Sequence, residues 1–169
     1  GNGNDSSVDA TLGNGNDSLY LSKLLNNRGS IYAYDIQDQA LINSNNLFIE
    51  NNVTNITMKK VSHEFIEEEN IDLAIFNLGY LPGFDKTIKT TKETSLKALN
   101  NLLPRMNKEN MLIIICLYIG HEEGIEESII LDNYVKNLSS SDYLVSKYQN
   151  YNRPTSPYIL TISPNKMKK

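Results

Sequence analysis

A short stretch near the start of the chain carries the first chemical signal. Asp9, Thr11, Gly13, Asn14, Gly15, Asn16 and Asp17 fall together, and Asp35 follows 20 residues after Gly15. Glycines at 13 and 15 permit positive φ and let backbone approach a ligand without a Cβ in the way. A helix starting directly after them would aim N–H groups at that ligand. A carboxylate at the end of the next strand, flanked here by Ile36 and Gln37, can accept both hydroxyls of an adenosine ribose. Those residue types in that order point to nucleoside binding. The plain alternative is a structural glycine turn.

A second group lies farther along, where Asn77-Leu78-Gly79-Tyr80-Leu81-Pro82-Gly83 follows an apolar run. An asparagine carbonyl can accept a hydrogen bond from an attacking amine and so align its lone pair. Tyr80 offers an aromatic face on which a base can stack. The loop resembles the Asn-Pro-Pro-Tyr loop of amino-methylating enzymes, with Leu-Gly in place of Pro-Pro; the other reading is a tight turn around a packed tyrosine. Tyr118-Ile119-Gly120-His121 closes the next apolar run. His121 suits a base, a substrate-orienting group or a helix cap. His63 follows the third strand and is either a cofactor contact or an exposed loop residue. Lys86, Lys89 and Lys92 lie just past Tyr80, placed for phosphate contact if they are not simply a solvated face. The acidic run 64–72 reads as solvated surface, and Cys116 as a buried inert thiol.

The elements that must position these residues alternate between short apolar runs and amphipathic stretches, the pattern of a parallel sheet with helices on both faces. Strands are expected over 7–12, 30–34, 55–60, 71–78 and 111–119. Helices are expected over 17–27, 38–51, 90–103 and 125–138. In the first, Leu21, Leu24 and Leu25 face inward and Asn27-Arg28-Gly29 stops the helix. In the second, Ala40, Ser44, Leu47 and Phe48 share a face; in the third, Leu96, Leu99 and Leu103 do. Thr90 followed by Glu93 forms a capping box. The run 71–78 is nearly all apolar, as a strand covered on both faces should be. Five βα units are then closed by two strands, 143–151 and 158–163, with no room for a helix between them. Those two must be antiparallel. A mostly parallel sheet of seven strands with its last strand reversed, helices on both faces, is the Rossmann-like class I methyltransferase arrangement.

Bulk properties narrow the field. The 169 residues suffice for one domain, read as 7–169. Residues 1–6 repeat the GNGNDS of 13–18; we read them as an artefactual or truncated start rather than a second phosphate loop. The longest apolar run, 111–119, is too short for a bilayer, and no secretory signal is visible. The single cysteine excludes an internal disulfide, which fits a cytoplasmic setting. A net charge of −4 confines any RNA contact to local patches. No metal is called for.

The ligand choice lies between NAD and S-adenosylmethionine. Ser18 occupies the position of the third glycine of the dinucleotide pattern. Asp9 places a carboxylate near the loop, awkward for a pyrophosphate and suited to a sulfonium-bearing amino acid. S-adenosylmethionine, with S-adenosylhomocysteine as product, is favoured; a nucleotide-binding oxidoreductase and a catalytically dead RNA-binding module are the rivals from other classes.

The blocks DATLGNGND, YDIQ, FNLGYLPG, KTIKTT and YIGHEEG, in that order, resemble the small bacterial family of putative rRNA methylases. Its characterised members methylate 5-aminomethyl-2-thiouridine at the tRNA wobble position. The resemblance spans residues 8–162. It departs where the segment before the first strand is absent or replaced, and at Leu12, where smaller residues are common. It implies that Asp9, Gly13, Asn14, Gly15 and Asp17 form the cofactor loop and that Asp35 and Gln37 hold the ribose and its surroundings. It further implies that Asn77, Tyr80, Thr90 and Thr91 line the reaction centre, supported by Tyr118, Gly120 and His121. Catalysis would fall to Asn77, Tyr80 and His121. Leu78, His63, Thr11, Asn16 and Ile36 would complete the cofactor contacts, and Leu81, Pro82, Lys86 and Lys89 the substrate contacts. The implied partner is a tRNA anticodon stem-loop, with no membrane and a homodimeric assembly. Ribosomal RNA, a protein or a small amine stays open as the acceptor.

Overall fold

The computed structural model describes residues 5–78, 92–119 and 122–167. Its elements run β1 (Ser6–Asp9), α1 (Asn16–Leu24), β2 (Ser30–Tyr34), α2 (Asp38–Glu50), β3 (Ile56–Lys59), β4 (Leu73–Leu78), α3 (Lys92–Leu102), β5 (Leu112–Leu117), α4 (Glu122–Lys136), β6 (Tyr143–Tyr148) and β7 (Tyr158–Pro164). They build a seven-stranded sheet in the order β3-β2-β1-β4-β5-β7-β6. β7 runs antiparallel to both β5 and β6, while the other pairings are parallel. The last strand is therefore the reversed one, wedged between β5 and β6.

Right-handed crossovers fix the layers. From β1 the chain moves through α1 to β2 in one direction along the sheet; from β4 it moves through α3 to β5 in the other. Helices of opposite travel land on opposite faces. The main core accordingly joins Ala74, Phe76 and Leu78 of β4 and Ile113, Ile115 and Leu117 of β5 to Leu99 and Leu102 of α3 and to Leu131 and Val135 of α4. A smaller cluster joins Leu12, Ala33 and Phe48 on the α2 side. The reversal of travel between β1 and β4 opens a crevice at their carboxyl ends.

Several expectations need correction. β1 is shorter than 7–12, and its pairing begins at Ser6, opposite Ser30; Ser6 N–H also donates to Asp72 Oδ2 at 3.0 Å. Residue 6 thus belongs to the sheet. The third unit has no α-helix among the described residues: β3 is followed by a single 3₁₀ turn, His63–Phe65, before the chain crosses past β2 and β1 to β4. Leu24 does not face inward but is 61% exposed; Ser18, Leu21 and Ser22 form the buried stripe of α1. The acidic run is wired rather than merely solvated. Glu68 accepts from the buried Tyr34 hydroxyl and from Lys59 Nζ at 2.9 Å, Glu69 pairs with Arg105, and Asp72 binds Asn107. Burial and the Glu68 hydrogen bond push the Tyr34 hydroxyl up to about 12. β4 is not covered equally on both faces, since Leu73, Ile75 and Asn77 alternate as only partly buried. The capping box at Thr90 lies outside the described residues.

Candidate active site

The chain from β1 to α1 folds as it does because of where its polar groups go. Leu12 N–H reaches back to Tyr34 O at 3.0 Å and Ala10 N–H to Ile75 O at 2.9 Å, so the loop leaves the sheet pinned to both neighbouring strands. Gly13 (φ 53°) and Gly15 (φ 86°) then take left-handed backbone, a conformation costly for residues with a Cβ. At Gly15 space reinforces conformation: a Cβ there would meet Ser44 Oγ at 2.9 Å and Phe48 Cε1 at 3.1 Å. α2 presses directly against the loop, and Ser44 Oγ donates to Gly13 O at 2.8 Å.

The two glycine amides are used internally. Gly13 N–H donates to Asp35 Oδ2 at 3.0 Å, and Gly15 N–H to Leu12 O at 2.9 Å. The donors left for a ligand are those of the first turn of α1, which begins at the exposed Asn16 and has no intrahelical acceptors. Asp35 is half-buried, with Oδ1 accepting from Gln37 N–H at 2.9 Å. Its carboxylate therefore joins the loop to the start of α2 and keeps further lone pairs for hydroxyls. Ile36 is exposed at the same edge, and Asn14 accepts from Asn43 Nδ2 at 3.1 Å.

Asp9 sits beneath the loop rather than in its mouth. It is fully buried, with Thr11 N–H donating to Oδ1 at 3.1 Å and Ser18 Oγ to Oδ2 at 2.7 Å. Burial raises its carboxyl to about 6 against those two hydrogen bonds. His63 is likewise an underpinning group, not an exposed loop residue. It is 5% exposed, stacks tilted on Phe76, and holds Ala10 O through Nδ1 at 3.1 Å. Burial lowers it to about 4, so the ring is neutral with Nδ1 as donor. Its Nε2 is buried and without a partner among the described residues.

Asn77 is the penultimate residue of β4, on the partly open face, and is tied to the loop and to α1. Its backbone N–H donates to Thr11 Oγ1 at 2.6 Å, and its Nδ2 donates to Asp17 Oδ2. Its Oδ1 is buried and meets no partner among the described residues. Cys116 is the direct cross-strand neighbour of Asn77. The thiol is partly buried rather than sealed in the core, and burial followed by the Asp17 charge raises it. Tyr118 is 45% exposed at the same edge, and burial, Cys116 and Asp17 raise its hydroxyl in turn. The Leu78 side chain points into the core, so only its backbone faces this edge.

The structure thus brings Thr11, the Gly13–Gly15 turn, Asp17, Asp35 and Asn77 to one lip of the sheet, with Cys116 and Tyr118 beside them. Tyr80, Leu81, Pro82, Lys86, Lys89, Thr90, Thr91, Gly120 and His121 lie outside the described residues. Sequence reasoning missed Ser18 as the clamp on Asp9, Ser44 as the prop under Gly13, and Cys116 as the neighbour of Asn77. A serine on the inward face of each helix was the available signal for the first two. Among the described residues no cluster of three His, Cys, Asp or Glu could hold a metal. No described helix is long and apolar enough to cross a membrane.

A glycine turn and an asparagine strand end bolted together at the switch point invite comparison with known proteins. The model of the putative rRNA methylase family matches residues 31–163. The chain belongs to that family. It is 34% identical over 139 residues to the chloroplastic tRNA (mnm(5)s(2)U34)-methyltransferase of Arabidopsis thaliana, covering 77% of this chain and 50% of that protein. It therefore spans about half the length of that relative. A putative rRNA-methylase from Clostridium thermocellum superposes with a TM-score of 0.87 at 29% identity, covering 95% of this chain and 89% of the other. A putative methyltransferase from Streptococcus mutans, solved in complex with SAH, gives 0.83 at 33% identity, covering 96% and 89%. The family and the methyltransferase fold expected from the sequence both hold.

Proposed function

We propose that this chain is an S-adenosylmethionine-dependent RNA methyltransferase. Its acceptor in this reading is the exocyclic amine of 5-aminomethyl-2-thiouridine at the wobble position of tRNA, presented in the anticodon stem-loop. One observation carries the reading: the glycine turn and the Asn77 strand end are hydrogen-bonded to each other through Thr11 and Asp17, leaving Asn77 Oδ1 as an unused buried acceptor. The Arabidopsis relative supports the choice of acceptor, and the Streptococcus mutans structure with SAH supports the choice of cofactor.

The residues fit the cofactor. The turn at Gly15 has no room for a Cβ, the first turn of α1 offers free N–H groups, and Asp35 stands ready for hydroxyls. When bound, the cofactor supplies an electrophilic sulfonium methyl. Asp35 and the loop hold the adenosyl and amino-acid parts. Asn77 Oδ1 accepts one N–H of the neutral amine, which aims the nitrogen lone pair. A protonated amine has no lone pair, so the site must bind the neutral form or release a proton to water. Holding reactants in near-attack geometry can supply roughly 7–11 kcal/mol of barrier lowering, so no covalent intermediate is required.

Incubation with S-adenosylmethionine and tRNA bearing 5-aminomethyl-2-thiouridine, followed by mass spectrometry of the nucleosides, tests this. The expected product is 5-methylaminomethyl-2-thiouridine. Methylation confined to ribosomal RNA, a protein or a small amine overturns the acceptor, and tight binding of NAD instead overturns the cofactor. Asn77→Ala should lower turnover roughly 100-fold while sparing cofactor affinity, read by calorimetry. Asp35→Ala should do the reverse, weakening cofactor binding about 10- to 100-fold.

A further inference from the structure

We propose that Asp17 is a positioning residue for methyl transfer: it grips the Asn77 amide by Nδ2 and so turns Oδ1, the acceptor end, toward a substrate bearing an amine N–H. This rests on the reading of Asn77 given above. A primary amide has two ends of nearly equal shape and opposite polarity. Only the carbonyl end can accept from an amine, so a site built on asparagine needs something to choose between them. An ionised carboxylate offers acceptors alone and can bind only the Nδ2 end. Asp17 Oδ2 takes that end, while Thr11 Oγ1 fixes the backbone N–H of the same residue at 2.6 Å. Asn77 is thereby held at two points from the opposite side of the crevice.

The remaining end is Oδ1, buried and without a partner among the described residues. Leaving a buried acceptor unsatisfied costs about 1–3 kcal/mol, so its persistence marks a group reserved for a ligand donor. Asp17 sits in the first turn of α1, and its charge also reaches Cys116 and Tyr118. Its hydrogen bond to Asn77 Nδ2 sets the carboxylate beside the acceptor it orients, at the strand position where Asn77 pairs with Cys116. The recognised feature is general: any primary amine offered at this edge meets a carbonyl, never an NH₂.

A reciprocal exchange separates orientation from simple support. In Asp17→Asn the anchor can pair with either end of the Asn77 amide, and turnover should fall roughly tenfold or more. In Asn77→Asp two carboxylates confront each other, with a comparable or larger loss. In the double variant the amide placed at position 17 donates to one oxygen of the carboxylate placed at position 77 and leaves the other oxygen as acceptor. Turnover on the aminomethyl-thiouridine tRNA should return to within several-fold of the parent. Melting temperatures of all four proteins control for folding. Losses that add in the double variant overturn the inference.

A second readout needs no substrate. The Asn77 side-chain amide should show one downfield, exchange-protected proton by ¹⁵N NMR, lost in Asp17→Ala, which removes the acceptor. A freely exchanging amide in the parent overturns the clamp. If the parent binds cofactor yet methylates no tRNA, the functional reading fails while this spectrum still decides the role of Asp17.

Discussion

On the side of β1, β2 and β3, polar groups, all buried but the half-buried Asp35, converge on one loop. Asp9, Ser18, Ser44, His63 and Asp35 each reach its backbone or a neighbour in it through a hydrogen bond of 2.7–3.1 Å. On the side of β5, β7 and β6 the sheet is held by apolar side chains: Ile113, Ile115 and Leu117 lie against Tyr158, Leu160 and Ile162 across one antiparallel ladder. The first region holds the Gly13 and Gly15 backbone in left-handed conformation, and directional bonds fix such positions. The second needs stiffness, for which non-directional packing suffices. Stability and ligand geometry are thus separable by substitution.

The sharpest break in that comparison is Leu160→Ala. Removing a fully buried leucine from the apolar half should cost about 2–5 kcal/mol of stability in denaturant unfolding. Cofactor affinity of the folded protein should be unchanged. Gly15→Ala should invert the pattern. Left-handed backbone adds about 1–2 kcal/mol of strain for a residue with a Cβ, and the contact with Ser44 must give way. The loop shifts, so calorimetry should show cofactor affinity falling by a larger factor than stability does.

Asp9→Asn sharpens the contrast through pH. The folded carboxyl sits at about 6, above its ordinary 3.8, so the folded state holds the proton more tightly than the unfolded one. That contribution is complete below 3.8 and is lost as pH rises through 6. Removing the charge should therefore stabilise the protein at pH 8 by up to about 3 kcal/mol, and the gain should vanish near pH 4. His63 works in the opposite sense. Its folded value of about 4 lies below 6.5, so stability is lost as pH falls between those limits. With Asp9 neutralised, thermal unfolding should show that acid-side loss unopposed.

Much of this was legible in the residues. The glycine pair, the acid at 35 and the asparagine at 77 follow runs of period and composition that announce strand ends, and the closing pair of strands could only be antiparallel. Less legible was the role of each polar residue beneath the loop. Asp9 reads the same whether it touches a ligand or only Thr11 and Ser18, because spacing does not report burial. A serine on an apolar helix face, such as Ser44, signals a buried hydroxyl without saying what it holds. The acidic run misled because charge usually means solvent, whereas Glu68 is drawn under by Tyr34 and Lys59.

By itself the sequence determined the order of strands and helices and the reversed last strand, and it pointed to the turns proposed to carry chemistry, since these depend on local periodicity and on residue types with few alternative uses. Tertiary structure alone decided which face of β4 is open, and hence that Asn77 meets Asp17 and Thr11 rather than the core. A continuous apolar run fits both faces of a strand equally well. The difference arises only when helices travelling in opposite directions from the switch point cover one face of that strand more fully than the other.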